Sequence, residues 1–280
     1  MTAVSSTTDV ARRLATLFKA QPGALFSDFD GTLSPVAPTP DSAVAAPGVA
    51  ETLSRLAERL SLVGIVSGRG VDDAMNRIAV PDLLYVGNHG LEWHEHDEHH
   101  VHPSGLAAEE VLPEALRDIE QRLQAQVTLD GIIFENKRYS ASVHYRLSAD
   151  PGRAGEILRP ILHEVAADYG FWVADGKMVF ELRPGAGVNK GSAVRQIVTE
   201  RELQSAVFLG DDVTDADAFI VLRQLRDELG IQTCTIGVLT LDTDQRVIEN
   251  SDFLLDGVDD VVSMLLELVH LLPNDDDSPE

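Results

Sequence analysis

Cysteine is almost absent: Cys234 is the single one in 280 residues. That excludes an internal disulfide and a metal cluster built of cysteines alone, and it suits a reducing compartment. Basic residues are scarce too. Lys and Arg number 22 against 46 Asp and Glu, a formal net charge of −24. Such a surface repels nucleic acid and anionic membranes. It would also repel a phosphorylated substrate, so any phosphate site needs a local lysine or metal to override the field. Long apolar runs are missing. The best stretch, Val261 to Leu272, is shorter than a bilayer span and holds Glu267 and His270. No charged start followed by an apolar core opens the sequence, so no signal peptide is expected, and the cytoplasm is the expected location. What is present suffices for folding: 44% hydrophobic residues can build a packed core, and the length allows one large domain or two smaller ones.

The stretch Ala24 to Leu33 stands out. A short apolar run, read as a strand buried on both faces of a parallel sheet, ends in Asp28 and Asp30, followed by Gly31 and Thr32. Ligands bind off the carboxyl ends of such strands. The pair is either a solvated turn or the acid pair of a cleft. A calcium loop is excluded because Leu33 and Ser34 stand where it needs acids.

The pattern then repeats. Leu62 to Val66 ends in Ser67-Gly68-Arg69, Leu83 to Val86 ends in Gly87-Asn88-His89, and Ala206 to Leu209 ends in Gly210-Asp211-Asp212. Helices are expected over Asp9 to Lys19, Gly48 to Leu60 and Val71 to Ile78, giving β-α-β repetition and a parallel sheet. Ile231 to Val238 and Asp252 to Leu255 read as further strands, and Val258 to Leu272 as a closing helix. Lys190 opens another helix, where a lysine is either plain surface or an anion ligand. Thr214 is the expected cap of the helix after Asp211 and Asp212. Five of the nine histidines crowd into His94 to His102. No regular spacing aims them at one centre, so a solvated hairpin or linker is expected, although a metal site is the alternative.

From about Pro103 to Arg183 the character changes to α-β-β-α-β-β. A helix is expected over Glu109 to Gln126, then a hairpin of Gly131 to Lys137 with Tyr139 to Arg146. A helix over Gly152 to Tyr169, kinked or restarted at Pro160, follows. A second hairpin joins Phe171 to Ala174 with Met178 to Arg183 around Asp175-Gly176. Alternation puts Glu135, Lys137, His144, Arg146, Glu181 and Arg183 on one face and apolar residues on the other. That face is either the wet side of a sheet or a platform for a polyol.

In this order the motifs Asp-Phe-Asp-Gly-Thr, Ser-Gly-Arg, Lys190 and Gly-Asp-Asp resemble those of the haloacid-dehalogenase-type phosphatases, with a cap inserted between the second and third. The closer resemblance is to the trehalose-6-phosphate phosphatase family. It rests on Phe-Asp-Gly-Thr-Leu-Ser-Pro, Val-Ser-Gly-Arg, Val-Gly-Asn-His-Gly-Leu-Glu, Glu135-Asn-Lys137, His144-Tyr-Arg146, Phe-Glu181-Leu-Arg183-Pro, Asn-Lys190-Gly and Gly-Asp-Asp-Val-Thr-Asp. Asn88 departs from the usual pattern, and the histidine-rich segment has no expected counterpart.

The resemblance implies a Rossmann-like α/β core, a parallel sheet with helices on both faces, formed by 1–102 and 185–273. It also implies an α+β cap over 103–184; the acidic stretch 274–280 reads from its composition as a disordered tail. It implies magnesium-dependent hydrolysis of trehalose 6-phosphate through an aspartyl-phosphate. Asp28 would be the nucleophile and Asp30 the acid and base. Mg2+ would be held by Asp28, the Asp30 backbone carbonyl and Asp211. Thr32, Ser67 and Lys190 would hold the phosphoryl group, with Asp212 and Asp215 orienting waters or Lys190. The family's disaccharide contacts map onto Glu135, Lys137, Arg146 and Glu181, and Arg69, Asn88, His89, His144 and Arg183 join them as expected substrate contacts. The partner would be a small sugar phosphate, not nucleic acid or membrane, with a monomer as the working expectation. Sucrose phosphate, mannosyl-phosphoglycerate, or a regulator that binds without turnover are the alternatives.

Overall fold

The apolar run before Asp28 forms a strand buried along its whole length in the computed structural model, which describes residues 4–124, 129–185, 187–241 and 243–273. The chain begins α1 (Thr7–Leu17), β1 (Gly23–Ser27), α2 (Val49–Ala57), β2 (Leu62–Val66), α3 (Val71–Ile78) and β3 (Leu84–Gly87). The hairpin β4 (Glu92–Glu95) and β5 (Glu98–Val101) follows. Next come α4 (Pro103–Gln124), β6 (Ile133–Asn136), β7 (Ala141–His144), α5 (Pro151–Tyr169), β8 (Phe171–Gly176) and β9 (Val179–Pro184). The chain ends with α6 (Lys190–Glu200), β10 (Ser205–Gly210), α7 (Val213–Leu229), β11 (Gln232–Val238), α8 (Gln245–Asn250), β12 (Phe253–Leu255) and α9 (Gly257–Leu271). The residues cluster into two units, Met1–His99 with Asn189–Glu280, and His100–Val188.

In the first unit the sheet order is β12-β11-β10-β1-β2-β3-β4-β5. The pairs from β12 to β3 are parallel, and β4 turns antiparallel onto β3. Alternate residues of each strand enter opposite cores. Leu25, Val63, Ile65, Val207 and Leu209 pack with α1, α2, α3 and α9, whereas Ala24, Phe26, Val66 and Phe208 pack with α6 and α7. The expected parallel α/β core with helices on both faces is therefore present. The order runs outward from β1 through β2 and β3 on one side and through β10, β11 and β12 on the other. The carboxyl ends of β1 and β10 thus meet at the switch point where α/β sheets bind ligands.

The second unit has its own core between α4, α5 and one face of the sheet β6-β7-β9-β8. Several expectations need correction here. Pro160 does not restart α5, which is one helix from Pro151 to Tyr169. Burial of Leu158, Ile161, Leu162 and Val165 holds the helix through the lost amide. The second hairpin turns at Lys177-Met178, because Asp175 and Gly176 still pair with Phe180 and Val179 in the ladder. Arg159 holds Asp175 there by an ion pair of 2.8 Å.

In the first unit Asp212, not Thr214, caps α7: its carboxylate accepts from the Val213 amide at 2.7 Å. Helix α8 was not foreseen; at six residues it is too short to show a period. Among the described residues, no helix is long and apolar enough to cross a membrane. The expected end of α4 at Gln126 and the acidic tail from Asn274 lie outside the described residues.

Candidate active site

Parallel pairing sets Ser27 beside Leu209, so the residues that follow on each strand leave the sheet together. The Asp28 amide donates to the Leu209 carbonyl at 2.9 Å. The chain then folds tightly: the Leu33 and Ser34 amides both donate to the Phe29 carbonyl, and the Gly31 amide to Ser34. Gly31 has φ +80°, and a Cβ there would lie 2.3 Å from the Asp211 carboxylate carbon. Glycine is required at this point for conformation and for space. Through it the loop after β1 closes directly against Asp211. Carboxylate oxygens of Asp28, Asp211 and Asp215 lie within 4.8 Å of one another, all buried.

Lys190 enters from the first turn of α6, which Asn189 and Ser192 cap reciprocally. Its Nζ lies 2.8 Å from Asp28 Oδ1 and 2.8 Å from Asp215 Oδ1. The other Asp215 oxygen accepts from the Asp211 and Asp212 amides at 3.1 and 3.0 Å. Asp215 is thus spent on holding Lys190 and the end of β10. Burial works against the Lys190 charge, but Asp215 and Asp28 outweigh it and raise its pKa. One ammonium cannot satisfy this many carboxylates. Burial, reinforced by the charge of Asp215, pushes Asp28 up to about 8 despite Lys190.

With all three ionised, these buried carboxylates beside one ammonium would carry a net charge of −2, which burial opposes. A hard divalent cation with oxygen ligands is the chemistry this donor set fits, and Mg2+ meets that description. Asp28 and Asp211 are the side chains suited to hold it, since Asp215 is committed elsewhere. Thr32 Oγ1 is wholly buried with no hydrogen-bond partner, an orphan hydroxyl suited to an incoming oxyanion.

Around this centre the remaining residues expected at the site take varied places. Ser67 lies at the end of β2, where its hydroxyl accepts from the Arg69 amide at 3.2 Å. Arg69, an expected substrate contact, bonds neighbouring groups of the protein here. Nε and Nη2 grip Asp30 at 2.6 and 2.8 Å, Nη1 bonds Asp73 at 2.6 Å, and Nη2 also reaches the Pro40 carbonyl. Burial opposes its charge, and Asp30 and Asp73 more than restore it. Asp30 has 41% of its side chain exposed, against 6% for Asp28. Asn88 also turns inward, donating to Glu92 at 2.5 Å. The His89 ring lies against Gly68, where a Cβ would come within 2.5 Å of Nε2. Asp212 is the α7 cap described above.

In the second unit the ladder aligns Glu135, Ser142 and Glu181 across three strands. Lys137 Nζ lies 3.5 Å from Glu181 and 3.9 Å from Glu135, and His144 Nε2 is 2.9 Å from Glu135. Arg183 donates from Nε to Glu181 at 2.8 Å and lies over the Trp172 ring. Strand alternation thus brings five of the six expected residues into one network. Arg146 falls outside it: β7 ends at His144, and the Arg146 guanidinium reaches the Lys177 carbonyl instead. Sequence reasoning missed Ser142 and Trp172. The ladder puts both on the Glu181 face, Ser142 opposite Glu181 and Trp172 opposite Arg183, and neither carries a charge.

Comparison with known proteins places the chain in a family. The family model for trehalose-phosphatase matches residues 26–255. A trehalose-phosphate phosphatase of Mycobacterium bovis is 34% identical over 248 residues, covering 83% of this chain and 61% of its own length. One from Mycobacterium marinum is 37% identical over 202 residues, covering 70% of this chain and 50% of its own. The chain therefore spans about 61% of the length of the first of these curated relatives. Among solved structures, a trehalose-6-phosphate phosphatase related protein superposes with a TM-score of 0.71 at 27% identity, covering 89% of this chain and 98% of that one. The C-terminal domain of a Candida albicans trehalose-6-phosphate phosphatase gives 0.77 at 22% identity, covering 97% and 99%, and shows the shared fold. On the family match, carried over most of its length, the chain belongs to the trehalose-phosphatase family.

Proposed function

We propose that this protein is a magnesium-dependent phosphatase that hydrolyses trehalose 6-phosphate to trehalose and phosphate. The observation that carries the reading is the Lys190 ammonium, 2.8 Å from both Asp28 and Asp215, with Asp211 packed on Gly31. Family membership and the names of the curated relatives support the same substrate.

A phosphate monoester is doubly charged and resists attack, so it needs a placed nucleophile and fixed positive charge. Asp28 supplies the nucleophile. Its carboxylate forms an O–P bond while the bond from phosphorus to the sugar oxygen breaks, and Asp30 gives that oxygen a proton. A water molecule then attacks the acyl phosphate. Asp30, now a carboxylate, takes a proton from the water, and Asp28 is regenerated as phosphate leaves. The exposure of Asp30 beside a buried Asp28 suits an acid that must reach a leaving group. Thr32, Ser67 and Lys190 hold the phosphoryl oxygens. Bound Mg2+, held by Asp28, Asp211 and the Asp30 carbonyl, would supply positive charge against the developing oxyanion.

The second unit would act as a cap, with Glu135, Lys137, Glu181 and their neighbours bonding sugar hydroxyls. Polar groups placed for hydroxyls discriminate strongly, because a wrong ligand leaves them unpaired. The single buried Cys234 suits a reducing cytoplasm. Phosphate release with Mg2+ against a panel of sugar phosphates tests the proposal. Trehalose 6-phosphate should lead by more than tenfold in kcat/KM; sucrose phosphate or mannosyl-phosphoglycerate in the lead would reassign the substrate.

A further inference from the structure

The histidine-rich hairpin took no part in the account above, yet one of its rings meets a buried carboxylate beside the segments that follow β2 and β3. Glu92, the first residue of β4, is 5% exposed. One of its oxygens accepts from the Val71 amide at 3.1 Å and from Asn88 Nδ2 at 2.5 Å. The other lies 2.8 Å from His99 Nε2, which must donate, since a carboxylate only accepts.

These partners sit at the ends of two adjacent strands. Val71 opens α3, one residue past Ser67-Gly68-Arg69, and Asn88 and His89 follow β3 with φ of 50° and 57°. Two backbone bonds strap the segments together, Asn88 N to Arg69 O at 2.7 Å and His89 N to Ser67 O at 3.0 Å. Left-handed backbone at non-glycine residues costs energy and persists only where its surroundings hold it. Beside those backbone bonds, Glu92 ties the Asn88 side chain to the first amide of α3. That helix carries Asp73, the second anchor of Arg69, and Arg69 grips Asp30 with two bonds.

We infer that Glu92, steadied by His99, is a positioning residue for the leaving-group acid: it fixes the Ser67–Val71 loop and so the Arg69 guanidinium that aims Asp30. The inference rests on the role proposed above for Asp30. It assigns His99 a function, and it gives none to the other hairpin histidines.

The test uses leaving-group dependence. A sugar alkoxide needs a proton as it departs, whereas p-nitrophenolate does not, so a misaimed acid slows the first departure and spares the second; kcat/KM reads that departure alone, because the hydrolysis that Asp30 serves as base follows it for both substrates. Glu92→Ala should lower kcat/KM on trehalose 6-phosphate about 10- to 100-fold, the scale of a small misplacement, and kcat/KM on p-nitrophenyl phosphate less than about threefold. Glu92→Gln keeps an acceptor for Val71 and should restore most of the sugar-phosphate rate. His99→Ala should show the same imbalance more weakly and carries the test if Glu92→Ala does not fold; His96→Ala should show none. Equal losses on the two substrates in Glu92→Ala or His99→Ala, or no rescue by Glu92→Gln, would overturn the inference. If the wild-type protein prefers another sugar phosphate, the trehalose reading fails. The same ratio, measured with that sugar phosphate, still decides the role of Glu92.

Discussion

Lys190 and Asp28 form a buried ion pair, Nζ to Oδ1 at 2.8 Å, and Asp215 shares the same ammonium. Removing the lysine strands carboxylates that have no other cation among the described side chains around them. Lys190→Met should destabilise the protein by about 3–5 kcal/mol, as breaking a buried pair does. It should also cut kcat about 10²- to 10³-fold, as losing one oxyanion donor does. Thermal melts and phosphate release measure both, and a variant as stable and active as wild type would contradict the pairing.

The raised Asp28 pKa makes stability depend on pH and on divalent cations. Between its ordinary value of 3.8 and about 8, folded Asp28 keeps a proton that the unfolded chain has lost. Stability of the metal-free protein therefore falls as pH rises through that window, with the full penalty present above it. A cation that binds the ionised carboxylates removes the penalty and adds its own binding energy. The rise in Tm on adding Mg2+ should be larger at pH 8 than at pH 5. A rise that is equal, or larger at pH 5, would contradict this reading.

Gly31 and Gly48 both have positive φ, but only Gly31 has a neighbour in the way. Gly48→Ala should cost only the left-handed strain, about 1–2 kcal/mol. Gly31→Ala should cost that plus about 1–3 kcal/mol of overpacking against Asp211, and activity should fall with it. Melts and phosphate release on the two variants check the contrast.

Glu181 links Lys137 to Arg183 on the polar face of the second unit. Glu181→Ala should lose about 10²-fold or more in kcat/KM on trehalose 6-phosphate and little on a small aryl phosphate. Equal losses would remove Glu181 from the sugar site.

Much of this was readable before any coordinates. Buried runs ending in Asp28, Ser67, Asn88 and Asp211 announced a parallel sheet with its chemistry at one edge, because strand burial and polar ends are both local signals. Period-two alternation carried Glu135, Lys137, His144, Glu181 and Arg183 to one face for the same reason. Arg146 broke the pattern because nothing local marks where β7 stops. Arg69 and Asn88 looked like ligand contacts because they sit at strand ends. Their bonds within the protein were not legible: Asp30 is 39 residues from Arg69, and the local pairs Arg69–Asp73 and Asn88–Glu92 depend on how the chain turns after each strand. Thr214 looked like a cap because a hydroxyl ordinarily serves, yet Asp212 two residues earlier already had the extended backbone a cap needs.

The claim on which the mechanism stands is that Asp28 carries the phosphoryl group during turnover. Borohydride added to the enzyme while it hydrolyses substrate reduces an aspartyl-phosphate to homoserine, and peptide mass spectrometry then locates the change. The account predicts homoserine at position 28 in the wild-type protein with Mg2+ and substrate, and none without substrate. An unaltered Asp28 under active turnover, or reduction at another carboxylate, would contradict it.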